Sequence, residues 1–199
     1  PGALRRVRTW RQMGVGELFV EYAPRFTVSW MAARLRQLEG KGLRVGVIIA
    51  DFLDIMGTER RYDGEGARRF ELAEIAQGLR DLGAEVGVPV WSGKAMNRRA
   101  VNKPVPTEAD MGECYQIAFV LDSLWVLCAT EKERCQAEPI IRLFHALGRE
   151  EADKRVVAAY ARNNDRQQWI ELPFYLEEQA AKETLRETSS GPGGEKGGA

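Results

Sequence analysis

The chain has 199 residues, in which Lys and Arg contribute 29 and Asp and Glu another 29, so its formal net charge is zero. This length suits one sizeable α/β domain with a buried core, and the balanced charge means that any attraction to nucleic acid has to come from local patches. Cys114, Cys128 and Cys135 match no zinc or disulfide spacing, which favours a reducing cytoplasm, and the apolar stretches are far shorter than a membrane span.

The pattern of apolar and polar residues predicts strands that alternate with helices. In chain order, we expect a strand at 17–22, a helix from a Thr27 cap to about 39, a buried strand within 43–56, a loop at 57–66, a helix at 67–86 and a strand at 88–91. An irregular basic stretch at 92–106 precedes a helix at 107–120, a strand at 123–129, mostly helix or loop at 131–154, and closing strands at 155–161 and 168–173.

This alternation predicts an α/β fold with a mostly parallel sheet flanked by helices. We expect one domain over residues 1–178, followed by a tail at 179–199 that is helical and then glycine-rich and disordered. Side chains expected in the core are Trp30, Met31, Leu35 and Leu38 in the first helix, Phe70, Ala73, Ile75, Leu79 and Leu82 in the second, and Trp91 and Trp125 on strands. The only histidine, His145, is expected in a helical stretch at the edge of the core.

Asp51 follows the apolar run Val47–Ala50 and is the first candidate for a functional residue. A carboxylate at the tip of a buried strand is costly unless a cation or hydrogen-bond donors compensate it, and ligands of open α/β sheets bind at the carboxyl ends of strands. In phosphate-handling ATPases such an aspartate holds Mg²⁺. The alternative interpretation is an aspartate that caps the following turn, and the spacing alone does not decide between them.

Four segments in the same order resemble DnaB-type replicative DNA helicases. VGVIIADFLDIM resembles the Walker B strand of that family, and EIAQGLRDLGAEVGVPV followed by Asn97-Arg98 resembles its sensor segment. Asp110, with Glu113 and Asp122, resembles a stretch that begins Asp-Leu-Arg-Glu in the family, and VVAAYARNN resembles the closing strand that carries an arginine finger. The resemblance covers roughly residues 17–176.

The resemblance implies the carboxyl-terminal part of a RecA-like P-loop NTPase core. It places Mg²⁺ and ATP at Asp51, an arginine finger at Arg162 with Asn163 beside it at the nucleotide, and a ring that is usually hexameric, because each finger completes a neighbour's site. It further implies ATP-driven translocation on single-stranded DNA, a primase or helicase loader as partner, no membrane, and a cytoplasmic location.

Two basic loops are predicted to contact DNA. Lys94, Arg98, Arg99 and Lys103 lie in a stretch without acidic residues, whereas Arg60 and Arg61 have acidic neighbours. In helicase rings of this family the two loops line the channel, where each phosphate contact adds sequence-independent affinity that weakens with salt. The alternative is that both are ordinary solvated loops.

Several departures from the family leave other functions open. Ala95, Tyr160 and Gly112 stand where the family has polar or basic residues, and the chain contains no G-x-x-x-x-G-K-[ST] loop, so we expect no useful ATP hydrolysis by this chain alone. One alternative is a degenerate RecA-like module that binds DNA or builds a ring without turnover, and another is a RecA- or KaiC-like ATPase. A metal-dependent nuclease would require the acidic residues Asp51, Asp54, Glu59 and Asp63 to converge on metal ions.

Overall fold

A computed structural model describes residues 16–98, 100, 103, 105–106, 110, 116–149, 155–166, 168–173 and 175. The helices are α1 (Val28–Gly40), α2 (Ala67–Val86) and the short α3 (Glu131–Arg134), and a 3₁₀ turn spans Leu53–Ile55. The strands are β1 (Ile48–Ala50), β2 (Val90–Ser92), β3 (Ser123–Cys128), β4 (Ile140–Gly148), β5 (Arg155–Asn163) and β6 (Gln168–Glu171). Most of the predicted helix at 107–120, the predicted tail and the boundary at residue 178 lie outside the described residues.

Both long helices begin and end where the sequence predicts. The Thr27 side chain accepts a hydrogen bond from the Trp30 amide at 3.2 Å and so satisfies one of the free N–H groups at the start of α1. Gly66 and Gly87 flank α2 in the left-handed conformation, with φ of 82° and 73°. Glycine adopts this conformation without a steric penalty, which is why it ends the helix there.

The core lies between these helices and one face of β1. Met31 and Leu35 of α1 and Ile75 and Leu79 of α2 are buried against Ile48 and Ala50. Two aromatic side chains that were expected in the core are exposed instead: Trp30 is 40% exposed and Phe70 is 45% exposed.

The sheet topology differs between the two halves of the domain. β1 pairs with β2 in parallel, whereas β3, β4, β5 and β6 form an antiparallel sheet in that order. The α/β class is confirmed, but among the described strands the expected parallel arrangement is found only for β1 and β2. The physical reason is the connections: α2 provides the long crossover that parallel strands need, whereas the described parts of the segments between the later strands contain no such crossover helix, and that between β3 and β4 holds only the one-turn α3.

Several local predictions were wrong. Residues 17–22 form no strand, and Ile140–Gly148 is a strand where helix or loop was expected. His145 therefore lies on β4, where it is buried and its Nε2 lies 3.1 Å from Ser123 Oγ. Trp91 and Trp125 lie on the predicted strands but are 56% and 38% exposed, so they do not belong to the core.

None of the helices in the described part of the chain has both the length and the apolar character needed to cross a bilayer.

Candidate functional site at the ends of β1 and β2

The parallel pairing of β1 and β2 brings two sequence-distant segments to one edge. Ala50 pairs with Ser92, and Ser92 Oγ donates a hydrogen bond to the Ala50 carbonyl at 2.7 Å. Beyond the strands, the Leu53 amide donates to the Gly93 carbonyl at 3.0 Å. Asp51 and the segment that starts at Gly93 therefore leave the sheet side by side, at the edge where open α/β sheets bind ligands.

Asp51 is an exposed side chain at this edge. Among the described residues, no hydrogen bond or ion pair is formed by its carboxylate. A carboxylate that only capped the next turn would accept a backbone N–H, so this geometry favours the ligand-holding interpretation over the capping one. An exposed, uncommitted carboxylate fits Mg²⁺ well, because this ion keeps several waters and is bound through one or two carboxylates together with phosphates.

Asp54, unlike Asp51, forms an ion pair and accepts a hydrogen bond from described residues at this edge of the sheet. Its Oδ1 lies 3.0 Å from Lys94 Nζ, and its Oδ2 accepts a hydrogen bond from the Ala95 amide at 3.1 Å. The Lys94 side chain is only 14% exposed, so the ion pair is partly shielded from solvent. Asp54 thus links the segment after β2 to the turn after β1, a structural role in place of the metal binding that the nuclease hypothesis required of it.

The basic loop after β2 is organised around a buried carboxylate. The Asn97 amide donates to the Asp110 carbonyl at 3.0 Å, and Lys103 Nζ lies 2.6 Å from Asp110 Oδ1. Asp110 is buried, while the Lys103 side chain remains half-exposed. Arg98 is exposed, and Arg99 lies outside the described residues. The loop therefore presents Arg98 to solvent and has Lys94 and Lys103 already in ion pairs.

The other basic loop presents its two arginines to solvent. Arg60 and Arg61 are both exposed, and Arg61 Nε lies 3.0 Å from Asp63 Oδ1. Both members of that ion pair are highly exposed, so it contributes little and yields readily to another anion.

Arg162 and Asn163 end β5 in the antiparallel sheet. Arg162 is exposed, and its amide donates to the Pro139 carbonyl at 2.7 Å. Asn163 Oδ1 accepts from the Arg166 amide at 2.9 Å, which closes the turn after the strand. No hydrogen bond or ion pair among the described residues connects Arg162 with Asp51, so within this chain the two do not form one site.

A buried ionic cluster escaped sequence reasoning. Glu133 accepts from the Thr130 amide at 2.6 Å and from the Tyr175 hydroxyl at 2.5 Å, and Arg142 Nε lies 2.9 Å from Glu133 Oε1. Burial works against the charged form of Glu133, but hydrogen bonds from Tyr175 and Thr130 and the charge of Arg142 lower the pKa of Glu133 overall. Burial and the bond to Glu133 raise the pKa of Tyr175 to about 12. The Thr-x-x-Glu capping box was the available sequence signal.

The acidic residues do not support a nuclease centre. In the described ranges, no three His, Cys, Asp or Glu side chains gather into a group that could hold a metal ion. Asp54 is bound by Lys94 and Asp63 by Arg61, so the four acids of the nuclease hypothesis do not converge.

Comparison with known proteins relates the chain as a whole to an established family. The protein-family model described as the DnaB-like helicase C terminal domain matches residues 4–172. One similar solved structure is a DnaB-like replicative helicase studied with its interactions with primase, at 19% identity and a TM-score of 0.61, covering 74% of this chain and 36% of that one. Another is the ATPase domain of G40P, at 18% identity and a TM-score of 0.63, covering 74% of this chain and 52% of that one. No curated protein sequence matches.

The fold is that of a RecA-like helicase ATPase domain, present in part. The chain belongs to the DnaB-like helicase C-terminal domain family. It spans about a third of one of these solved chains and about half of the other.

Proposed function

We propose that this chain is the carboxyl-terminal part of the motor domain of an ATP-dependent, hexameric DNA helicase that translocates on single-stranded DNA during replication. The observation that carries the proposal is the exposed Asp51 carboxylate at the end of β1, beside the end of β2, in a chain whose family match spans residues 4–172. In α/β ATPases this strand end is where Mg²⁺ and nucleotide phosphates are held.

Asp51 would hold Mg²⁺, and with it the phosphates of ATP, through the carboxylate that no other described residue engages. The Mg²⁺–ATP complex supplies the hydrolytic chemistry, and the cradle for its phosphates has to come from a segment that this sequence does not contain. Arg162 is exposed at the end of β5, with Asn163 closing the turn behind it. From this position Arg162 would serve the nucleotide of a neighbouring subunit and Asn163 would steady it, which requires a ring.

The exposed arginines of the two basic loops would bind the phosphates of single-stranded DNA. Arg60, Arg61 and Arg98 are exposed, and Arg99 is included on its position in the sequence. Lys103 retains half of its side-chain exposure beside Asp110, whereas Lys94 would have to leave Asp54 to reach DNA. A primase or helicase loader is the proposed protein partner, since a similar helicase is described with primase, and the proposed location is the cytoplasm.

The test compares Asp51→Asn with Asp81→Asn in a polypeptide that extends upstream to include a phosphate-binding loop. Asp81 is an exposed carboxylate on α2 and serves as the matched control. We expect ATP hydrolysis that single-stranded DNA stimulates, its loss in Asp51→Asn, and its retention in Asp81→Asn. Unchanged hydrolysis in Asp51→Asn would contradict the site assignment.

A second candidate is a RecA-like module that binds DNA or builds a ring without turnover. The observation in its favour is Tyr160, which stands where the family has a lysine and packs against Trp169 with ring centroids 5.8 Å apart. A hydrophobic ring pair replaces the cation there, so Arg162 would act without a second positive charge. DNA binding by the extended polypeptide without any ATP hydrolysis would favour this candidate.

A further inference from the structure

Two aromatic rings and an arginine meet where the loop at 57–66 enters α2. The Tyr62 and Phe70 rings lie nearly parallel, with an interplanar angle of 17° and centroids 6.3 Å apart. The Arg69 guanidinium lies over the Phe70 ring, 5.3 Å from its centroid. Phe70 belongs to a helix whose buried apolar side chains face the core, yet the Phe70 ring itself is exposed. Packing of the core therefore does not explain an aromatic residue at this position.

A hydrogen bond holds one of the two rings, and contacts of Arg68 fix the first turn of the helix that carries the other. The Tyr62 hydroxyl donates a hydrogen bond to Glu74 one turn beyond Phe70. Arg68, in the first turn of α2, donates to the Asp54 carbonyl at 2.6 Å and pairs with Glu71 at 2.6 Å. The rings therefore belong to a fixed surface that is connected, through Arg68, to the turn following Asp51. A surface fixed before binding loses little conformational entropy when a ligand arrives.

Exposed arginines precede Tyr62 in the chain, and another lies over the Phe70 ring. Arg60 and Arg61 are exposed two and one positions before Tyr62, and Arg69 lies beside Phe70. Asp63 neutralises part of this charge through an exposed ion pair with Arg61. Flat rings with nearby exposed cations match a ligand that has flat rings and regularly spaced negative charges, which describes a single nucleic acid strand.

We propose that Tyr62 and Phe70 form a stacking platform for bases of single-stranded DNA, with Arg60 and Arg61 binding the adjacent phosphates. This rests on the proposed function, which assigned only phosphate contacts to the loop. Bases also stack on guanidinium planes, so Arg69 extends the platform whether it stays over the Phe70 ring or yields that place to a base. The stacking tolerates any sequence, because every base has a π-face.

The test uses the whole chain and two labelled oligonucleotides of about 16 residues, the upper range of site sizes for single-strand binding domains. One is oligo-dT and the other carries the same number of phosphates on an abasic backbone. We expect wild type to bind oligo-dT about 5- to 150-fold more tightly than the abasic strand, the range for one stacked base. Phe70→Ala should lose most of this preference, since only part of the platform remains, with an unchanged salt dependence because no cation is lost.

Two further variants guard against a folding effect. Phe70→Leu keeps an apolar side chain without a π-face and should lose the preference for oligo-dT as Phe70→Ala does. Phe119→Ala removes another exposed aromatic, 67% exposed and distant in sequence, and should keep the preference.

Different results would contradict the stacking platform and the proposed binding of DNA phosphates. If wild type binds oligo-dT and the abasic strand equally tightly, the stacking platform is wrong while phosphate binding stands. If Phe70→Leu retains the full preference, the π-face of Phe70 is not the platform. If wild type binds neither strand, the DNA-binding part of the proposed function is wrong as well.

Discussion

Asp54 and Lys94 are forty positions apart in the sequence and form an ion pair at 3.0 Å between the ends of β1 and β2. The same carboxylate accepts the Ala95 amide at 3.1 Å, so one side chain fixes the start of the basic loop. Asp51, three residues earlier, remains uncommitted. The two acids at this edge therefore have separate roles: Asp54 supports the loop, and Asp51 is available to a ligand.

We expect Asp54→Asn to lower the free energy of unfolding by about 1–3 kcal/mol, because it leaves the partly buried Lys94 ammonium without its charged partner. Asp51→Asn should change it by less than about 0.5 kcal/mol, as is usual for an exposed side chain without partners. Urea denaturation at neutral pH measures both. Equal effects of the two substitutions would contradict the separation of roles.

The salt dependence of binding to single-stranded DNA should separate the exposed arginines of the loop at 57–66 from Lys94, whose ion pair is partly shielded from solvent. Arg60→Gln and Arg61→Gln should each reduce the slope of log affinity against log salt concentration by about 0.7, the contribution of one phosphate contact. Lys94→Gln should leave the slope nearly unchanged, because Asp54 already neutralises that charge. Arg44→Gln, an exposed arginine outside both loops, is the control. A full decrease for Lys94→Gln would mean that DNA displaces Asp54.

The Glu133 cluster should give stability a dependence on pH at both extremes. Folding lowers the pKa of Glu133 below its ordinary value of 4.5, so its contribution is complete above that pH and is lost as the pH falls further. Folding raises the pKa of Tyr175 from 10.0 to about 12, so its contribution is complete below pH 10 and is lost as the pH rises through this interval.

Thermal unfolding across pH can test both ends of this range. Glu133→Gln should remove the acid dependence and lower the free energy of unfolding by about 3–5 kcal/mol, because the Arg142 side chain, which is only 12% exposed, loses its counter-charge. Tyr175→Phe should remove the alkaline dependence and weaken the acid one, because the Tyr175 hydroxyl donates one of the hydrogen bonds that lower the pKa of Glu133. An alkaline dependence that persists in Tyr175→Phe would point to another group.

Gly83 should be intolerant of even a methyl group, because a Cβ there would lie 2.9 Å from Val90 Cγ2 and 3.0 Å from the Val88 carbonyl oxygen. We expect Gly83→Ala to lower the free energy of unfolding by about 1–3 kcal/mol, since overpacking against a stiff side chain and backbone outweighs the better helix propensity of alanine. Gly78→Ala in the same helix meets only the Val28 side chain, at 3.1 Å, and should be the milder change in the same denaturation experiment. Stabilisation by Gly83→Ala would show that α2 does not rest closely on β2.

Local sequence patterns predicted those helices and strands that depend mainly on interactions between neighbouring residues. The periodic apolar residues of α2 and its flanking glycines predicted both ends of that helix. The run of apolar residues before Asp51 placed this carboxylate at the end of a strand. The stretch Ile140–Gly148 was wrongly interpreted, because a short apolar run without clear alternation suits a helix as well as a strand. Pairing with β3 on one side and β5 on the other decides its form, and neither pairing is visible in the run itself.

The sequence by itself determined the helices around the core, the strand end at Asp51 and the family resemblance, because each depends on neighbouring residues or on a motif in fixed order. Only the tertiary structure decided that Asp54 holds Lys94, that Glu133 holds Tyr175 at a separation of 42 positions, and that Phe70 lies on Tyr62 rather than in the core. The first two contacts join residues about forty positions apart, which meet only after the sheets and helices have packed, and the third depends on how the loop before α2 folds onto that helix. The energy of each contact depends on its burial and on the distance between its atoms, and neither quantity can be read from the sequence.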